Sequence, residues 1–97
     1  MDSIALTGLD QLIADQPGTS RPDAYRYLGF SIRETTGLAG AVVEIFDGLD
    51  SGGKLIESIA ISSGGSVREY YPNGVILEDG LFVNVVSGTV RGSVRIE

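Results

Sequence analysis

The chain has 97 residues, thirteen acidic against seven basic side chains for a net charge of −6, fourteen glycines, and no cysteine, histidine or tryptophan. This leaves room for one domain, whose folding buries about 60–65% of the surface its unfolded chain exposes. It also removes the thiol nucleophile, the disulfide, the histidine base and the usual zinc ligands. An acidic chain is poorly suited to releasing counterions from nucleic acid or to approaching an anionic membrane, so neither is expected as a partner. No apolar run reaches the roughly 18 residues of a membrane span. The start, Met1 to Leu6, lacks the basic and apolar regions of a secretory signal. With 42% apolar and 21% charged residues the chain is expected to fold, after synthesis in a cytoplasm.

In chain order, residues 1–23 stand apart as an N-terminal arm and linker. They hold Asp2, Asp10, Asp15 and Asp23 against Arg21 alone and end in the breaker-rich Gln16 to Pro22. Ile4, Leu6, Leu9, Leu12 and Ile13 are spaced for one short helix, with Thr7 as its N-cap, or for a short strand and a turn. Such an arm either folds back on its own core or docks on a neighbouring subunit, and both readings stay open.

From Ala24 to the end the signal is β. Leu28, Phe30 and Ile32 alternate with Gly29, Ser31 and Arg33, while Tyr25 and Tyr27 fall on the opposite parity, which implies a bulge near Tyr27 or two buried faces. Ala41 to Phe46 is apolar on both parities except Glu44 and reads as a central strand. The turn Asp47 to Gly53 leads to a strand over Lys54 to Ile61, and Ser62 to Gly65 to another ending at Tyr71. Pro72-Asn73-Gly74 reads as a turn, followed by a short strand over Val75 to Leu77 and a turn at Glu78 to Gly80. Leu81 to Val86 and Val90 to Ile96 close the chain. In the last, Arg91, Ser93 and Arg95 point outward, and Gly92, on the inward parity, permits a close approach. About seven strands at intervals of about 8–12 residues, with no helix after residue 24, predict an antiparallel β-sandwich over residues 24–97, with a jelly roll as one form of it.

Each candidate for chemistry has a plainer counterpart. Asp47 and Asp50, with Glu44 before them, invite a calcium reading. Calcium takes six to eight oxygens, however, and Asp and Gly are also what a turn selects. The carboxylates of Glu78 and Asp79 are neighbours in a turn and point apart, so they do not flank a scissile bond; Glu57 and Glu69 could in principle supply distant partners, but a 97-residue sandwich leaves little room for a substrate cleft. Ser62, Ser63, Ser66, Ser87 and Ser93 have no histidine to activate them, Lys54 is the single lysine, and no Gly-x-Ser-x-Gly elbow exists. Gly64-Gly65-Ser66 resembles part of a phosphate cradle, but no helix follows it. No catalytic, cofactor or metal site is assigned and no enzyme is expected. Tyr25, Tyr27, Tyr70 and Tyr71, near Arg26 and Arg68, form either a platform for sugar or the rim of a protein contact, and the contact is the stronger reading.

Four stretches share a theme of strands joined by glycine turns: Ala41-Val42-Val43-Glu44-Ile45-Phe46-Asp47-Gly48, Gly53-Lys54-Leu55-Ile56, Pro72-Asn73-Gly74-Val75, and Gly80 through Val94 with its Ser87-Gly88-Thr89-Val90 hairpin. Through them Gly40 to Glu97 is similar to small virion proteins of tailed bacteriophages. The resemblance implies a capsid decoration or head-fibre protein on the exterior of the virion. Its partners would be the major capsid protein or other virion subunits, and copies of itself in a homo-oligomer. Under that reading Ile4, Leu6, Leu9, Leu12 and Ile13 anchor the arm, while Tyr25, Tyr27, Tyr70 and Tyr71 pack at a subunit contact. The alternatives are a host-surface or carbohydrate-binding module and a tail, connector or baseplate component.

Overall fold

A computed structural model describes residues 2–15 and 26–97. Among these residues there is no helix, and so none long and apolar enough to cross a membrane. Eight strands run in chain order: β1 Asp2–Ala5, β2 Gln11–Asp15, β3 Arg26–Glu34, β4 Ala41–Asp47, β5 Lys54–Ile61, β6 Ser66–Ile76, β7 Gly80–Ser87 and β8 Val90–Ile96. They form two four-stranded sheets, ordered β1-β8-β3-β6 and β2-β7-β4-β5. The chain is therefore the predicted all-β sandwich. Its antiparallel pairs nest as β1·β8, β2·β7, β3·β6 and β4·β5, one long hairpin rolled over on itself, which is the jelly-roll order.

The period-two patterns put one face of each strand inward. Phe30 and Ile32 of β3, Val43 and Ile45 of β4, Ile59 and Ile61 of β5, Leu81 and Val83 of β7, and Val90, Val94 and Ile96 of β8 close the core between the sheets. Gly92 also lies on the inward parity of β8. Its φ is +152°, and a Cβ there would overlap the carbonyl oxygen of Ser31 on β3, so the close approach is to a neighbouring backbone.

Of the two forms open to residues 2–15, the strand followed by a turn is present and the helix is not: β1 extends the first sheet beyond β8 and β2 extends the second beyond β7. Thr7 caps nothing helical. Its hydroxyl accepts the Leu9 N–H at 3.3 Å, its N–H donates to Gln11 Oε1 at 2.9 Å, and Gln11 Nε2 donates to the Ala5 carbonyl at 3.1 Å, which closes the β1–β2 connection. Without these strands the backbone edges of β8 and β7 would be open, a demand that outweighs a helical spacing a few residues long. The linker residues 16–23 lie outside the described residues.

One element departs from the sequence expectation: Pro72-Asn73-Gly74 does not end a strand. β6 runs on to Ile76, and Val75 and Ile76 continue its pairing with β3. Tyr27 pairs with Val75 and Gly29 with Tyr70, so Tyr71 to Gly74 bulge out opposite Leu28. Proline has no N–H to donate to a ladder, and an edge strand tolerates it as a bulge. Gly74 supplies φ +67°, and a Cβ there would lie 2.9 Å from Leu28 Cδ2. The irregularity expected near Tyr27 is thus present, and the bulge buries Leu28 away from the main core.

Candidate contact surfaces

The structure divides the residues expected to make contacts. Ile4, Leu6 and Ile13 are half-buried and pack against the core of their own chain. Leu9 and Leu12 remain exposed. Tyr27 is 0% exposed, a core residue that no partner can reach. Tyr71 is half-buried beside it, with ring centroids 6.1 Å apart and planes tilted by 55°. Tyr70, next in sequence to Tyr71, points to the opposite face because side chains alternate along a strand, and it is 55% exposed. Tyr25 lies outside the described residues. Tyr27, Tyr70 and Tyr71 therefore do not make one platform.

The outer face of the β2-β7-β4-β5 sheet carries a row that sequence reading missed. Leu12 pairs with Phe82, Phe82 with Phe46, and Phe46 with Leu55, so four apolar side chains cross all four strands in register. Phe46 is buried by its neighbours although it faces away from the core, while Leu12 and Leu55 at the ends of the row are 46% and 49% exposed. Glu44 stands on the same face, opposite Ser58 and Asn84.

The outer face of the β1-β8-β3-β6 sheet has the opposite chemistry. Arg33 lies opposite Ser66 and Arg91, Arg68 opposite Ser31, and Arg95 opposite Ser3 and Gly29. Among the described residues no acidic residue lies directly across from any of these arginines, and the Arg33–Arg91 pair sets two like charges side by side. Tyr70 borders a depression of about 400 Å³ with Arg68, Glu69 and Arg95.

The carboxylates singled out in the sequence have structural work. Asp47 is buried and accepts the N–H groups of Asp79 at 2.9 Å, Glu78 at 3.1 Å and Gly80 at 3.3 Å, clasping the β6–β7 turn to the end of β4. Asp50 Oδ1 accepts the Gly52 N–H at 2.8 Å, an Asx turn. Glu44 faces outward and does not converge with them. The described residues contain no group of three or more acidic side chains placed to hold a metal ion.

Glu34, unremarked in the sequence, is 3% exposed. It accepts the Thr36 hydroxyl at 2.5 Å and the N–H groups of Gly37 at 2.7 Å, Thr36 at 2.9 Å and Gly64 at 2.9 Å. The Thr36 hydroxyl, followed by these backbone donors, holds its carboxyl down at about 2. The glycine turn that resembled a phosphate cradle thus receives the chain's own carboxylate. Between the open edges of β5 and β6, Glu57 is pushed up by burial. The Tyr71 hydroxyl bonded to it is pushed up to about 12, chiefly by that hydrogen bond. Burial raises Tyr27 as well.

No protein-family profile, curated protein or solved structure matches the chain.

Proposed function

We propose that the protein is a structural component of a tailed-bacteriophage particle, a decoration protein that binds the assembled major-capsid lattice on the shell exterior. The observation that carries this reading is the apolar row from Leu12 to Leu55 across the outer face of one sheet, exposed at both ends. An apolar row with exposed ends on a sheet surface is suited to contact with another macromolecule. The resemblance of Gly40 to Glu97 to phage virion proteins supports it, as does a jelly-roll architecture, which viral capsid domains and lectins share. The mechanism is mass action: a protein that binds only the assembled shell favours that shell over its dissociated subunits. In this arrangement Leu12 and Leu55 meet the lattice, whereas Ile4, Leu6 and Ile13 hold the contact strands in place.

The test is co-sedimentation with purified shells. The native chain is expected to pellet with shells to saturation, and the double variant Leu12→Glu, Leu55→Glu to bind at least about tenfold more weakly with its melting temperature within a few degrees of the native one. A variant that still saturates the shell, or a native chain that stays in the supernatant, refutes the reading. Tyr70, exposed beside Arg68 and Arg95, favours a second reading, a host-surface glycan site. That reading requires glycan binding that Tyr70→Ala abolishes. Copies confined to one vertex or to the tail would instead point to a connector or baseplate part.

A further inference from the structure

We infer that copies of this chain associate head to tail, the Arg33–Arg91 end of one copy docking on the acidic end of the next. The inference goes beyond the capsid reading and does not depend on it. Both halves of the contact lie within the described residues, the arginines on the outer face of the first sheet near one end of the sandwich and the acids at the other end. The β3–β4, β5–β6 and β7–β8 connections gather at one end. There Arg33, near the end of β3, faces Arg91, near the start of β8, across a shallow depression of about 320 Å³ that Ser31, Ser66 and Gly92 also line. The β4–β5 and β6–β7 turns gather at the other end. There Asp50, Glu78 and Asp79 line a depression of about 490 Å³ with Gly48, Gly52 and Gly53. All three acids are exposed, while the buried Asp47 holds the backbone of the β6–β7 turn.

The chemistry matches. Arg33 and Arg91 border one depression, and Asp50, Glu78 and Asp79 border the other beside Leu49. Arginine pairs with carboxylates through two parallel hydrogen bonds. Two arginines directly opposite each other repel within the free chain, and a carboxylate between them removes that repulsion. The net charge of −6 opposes self-association at long range, but at 0.15 M salt charges are screened within about 8 Å, so direct pairs outlast it. The same net charge disfavours an extended polyphosphate, which would run from the arginines past the acidic end. Since the two patches differ and lie at opposite ends, the contact is heterologous, and it closes a ring or continues as a chain.

Sedimentation equilibrium of the full chain tests this, using Arg33→Glu/Arg91→Glu, its milder counterpart Arg33→Gln/Arg91→Gln, and Asp50→Lys/Glu78→Lys/Asp79→Lys. All the substituted side chains are exposed, and circular dichroism checks that each variant folds. The native protein is expected to show a mass that rises with concentration at 0.15 M salt and falls to the monomer at 1 M. Each variant alone should associate at least about tenfold more weakly, and an equimolar mixture of the two charge-reversed variants should associate again. A native chain that is monomeric at every concentration overturns the inference. So does association that survives 1 M salt or the substitutions, or a monomeric chain whose arginines bind a 20-nucleotide single strand.

Discussion

Individual residues in this protein are committed to backbone more often than to chemistry. Glu34 is the clearest case, because every donor that holds it sits in the β3–β4 or β5–β6 connection. Its carboxyl titrates at about 2 in the folded chain against an ordinary value of 4.5. Between those values the unfolded chain binds a proton that the folded chain does not, so stability is full above about 4.5 and is lost as pH falls through the window. Thermal melts are expected to show a midpoint that drops from pH 5 to pH 2. Glu34→Gln should melt lower at pH 7 and decline less steeply with acid; an unchanged midpoint at pH 7 would show that the carboxylate does not hold these loops. Glycines make a second residue-level test. Gly92→Ala forces a Cβ onto the Ser31 carbonyl at φ +152° and is expected to cost about 2–4 kcal/mol in urea denaturation. Gly37→Ala, at φ +72° with open space around it, should cost about 1–2 kcal/mol. Equal costs at the two sites would refute the steric account.

Among the strands, β1 and β2 change the meaning of the N-terminal segment. An arm that only reached a neighbour could be removed without harm to the sandwich. Here β1 covers the edge of β8 and β2 the edge of β7, and Asp10 Oδ1 accepts the Val85 N–H at 2.8 Å. Deletion of residues 1–22 is therefore expected to abolish the cooperative melt and yield aggregates on size-exclusion chromatography, since it bares two strand edges and the apolar surface under Ile4, Leu6 and Ile13. A truncated chain that melts cooperatively near the native temperature would return the segment to the status of an arm. β6 makes the complementary point: a bulge at an edge absorbs Pro72 and buries Leu28, where a turn would have left Leu28 uncovered.

Over the whole molecule, the rolled hairpin sorts charge and apolar surface. One outer face carries Arg33, Arg68, Arg91 and Arg95, and the other carries the row from Leu12 to Leu55. Exposed carboxylates crowd the β4–β5 and β6–β7 end. A net charge of −6 describes none of this. The arginine face has a price in the isolated chain, since Arg91→Ser removes a like-charge neighbour of Arg33. That substitution is expected to stabilise the monomer by about 0.2–1 kcal/mol at low salt, with the gain gone at 1 M. Denaturant titrations at the two salt concentrations check it, and a loss of stability on substitution would show that Arg91 is already paired within its own chain.

Alternation within a strand is a local property, so the two faces of β3 and β8 were readable from residue order: Phe30 and Ile32 inward, Arg91, Ser93 and Arg95 outward. The all-β class and most turns follow from the same local chemistry of glycine, proline and aspartate. Which faces become neighbours is a non-local matter. Arg33 meets Arg91 and Leu12 meets Leu55 only because hydrogen-bonded ladders join residues far apart in the chain, and no spacing in the sequence encodes that order. Burial is non-local as well, which is why Tyr27 and Tyr70, similar as letters, became a core residue and a surface one. The missing histidine and cysteine bounded the chemistry from the start; the contact surfaces came into being when the hairpin rolled and set distant strands side by side.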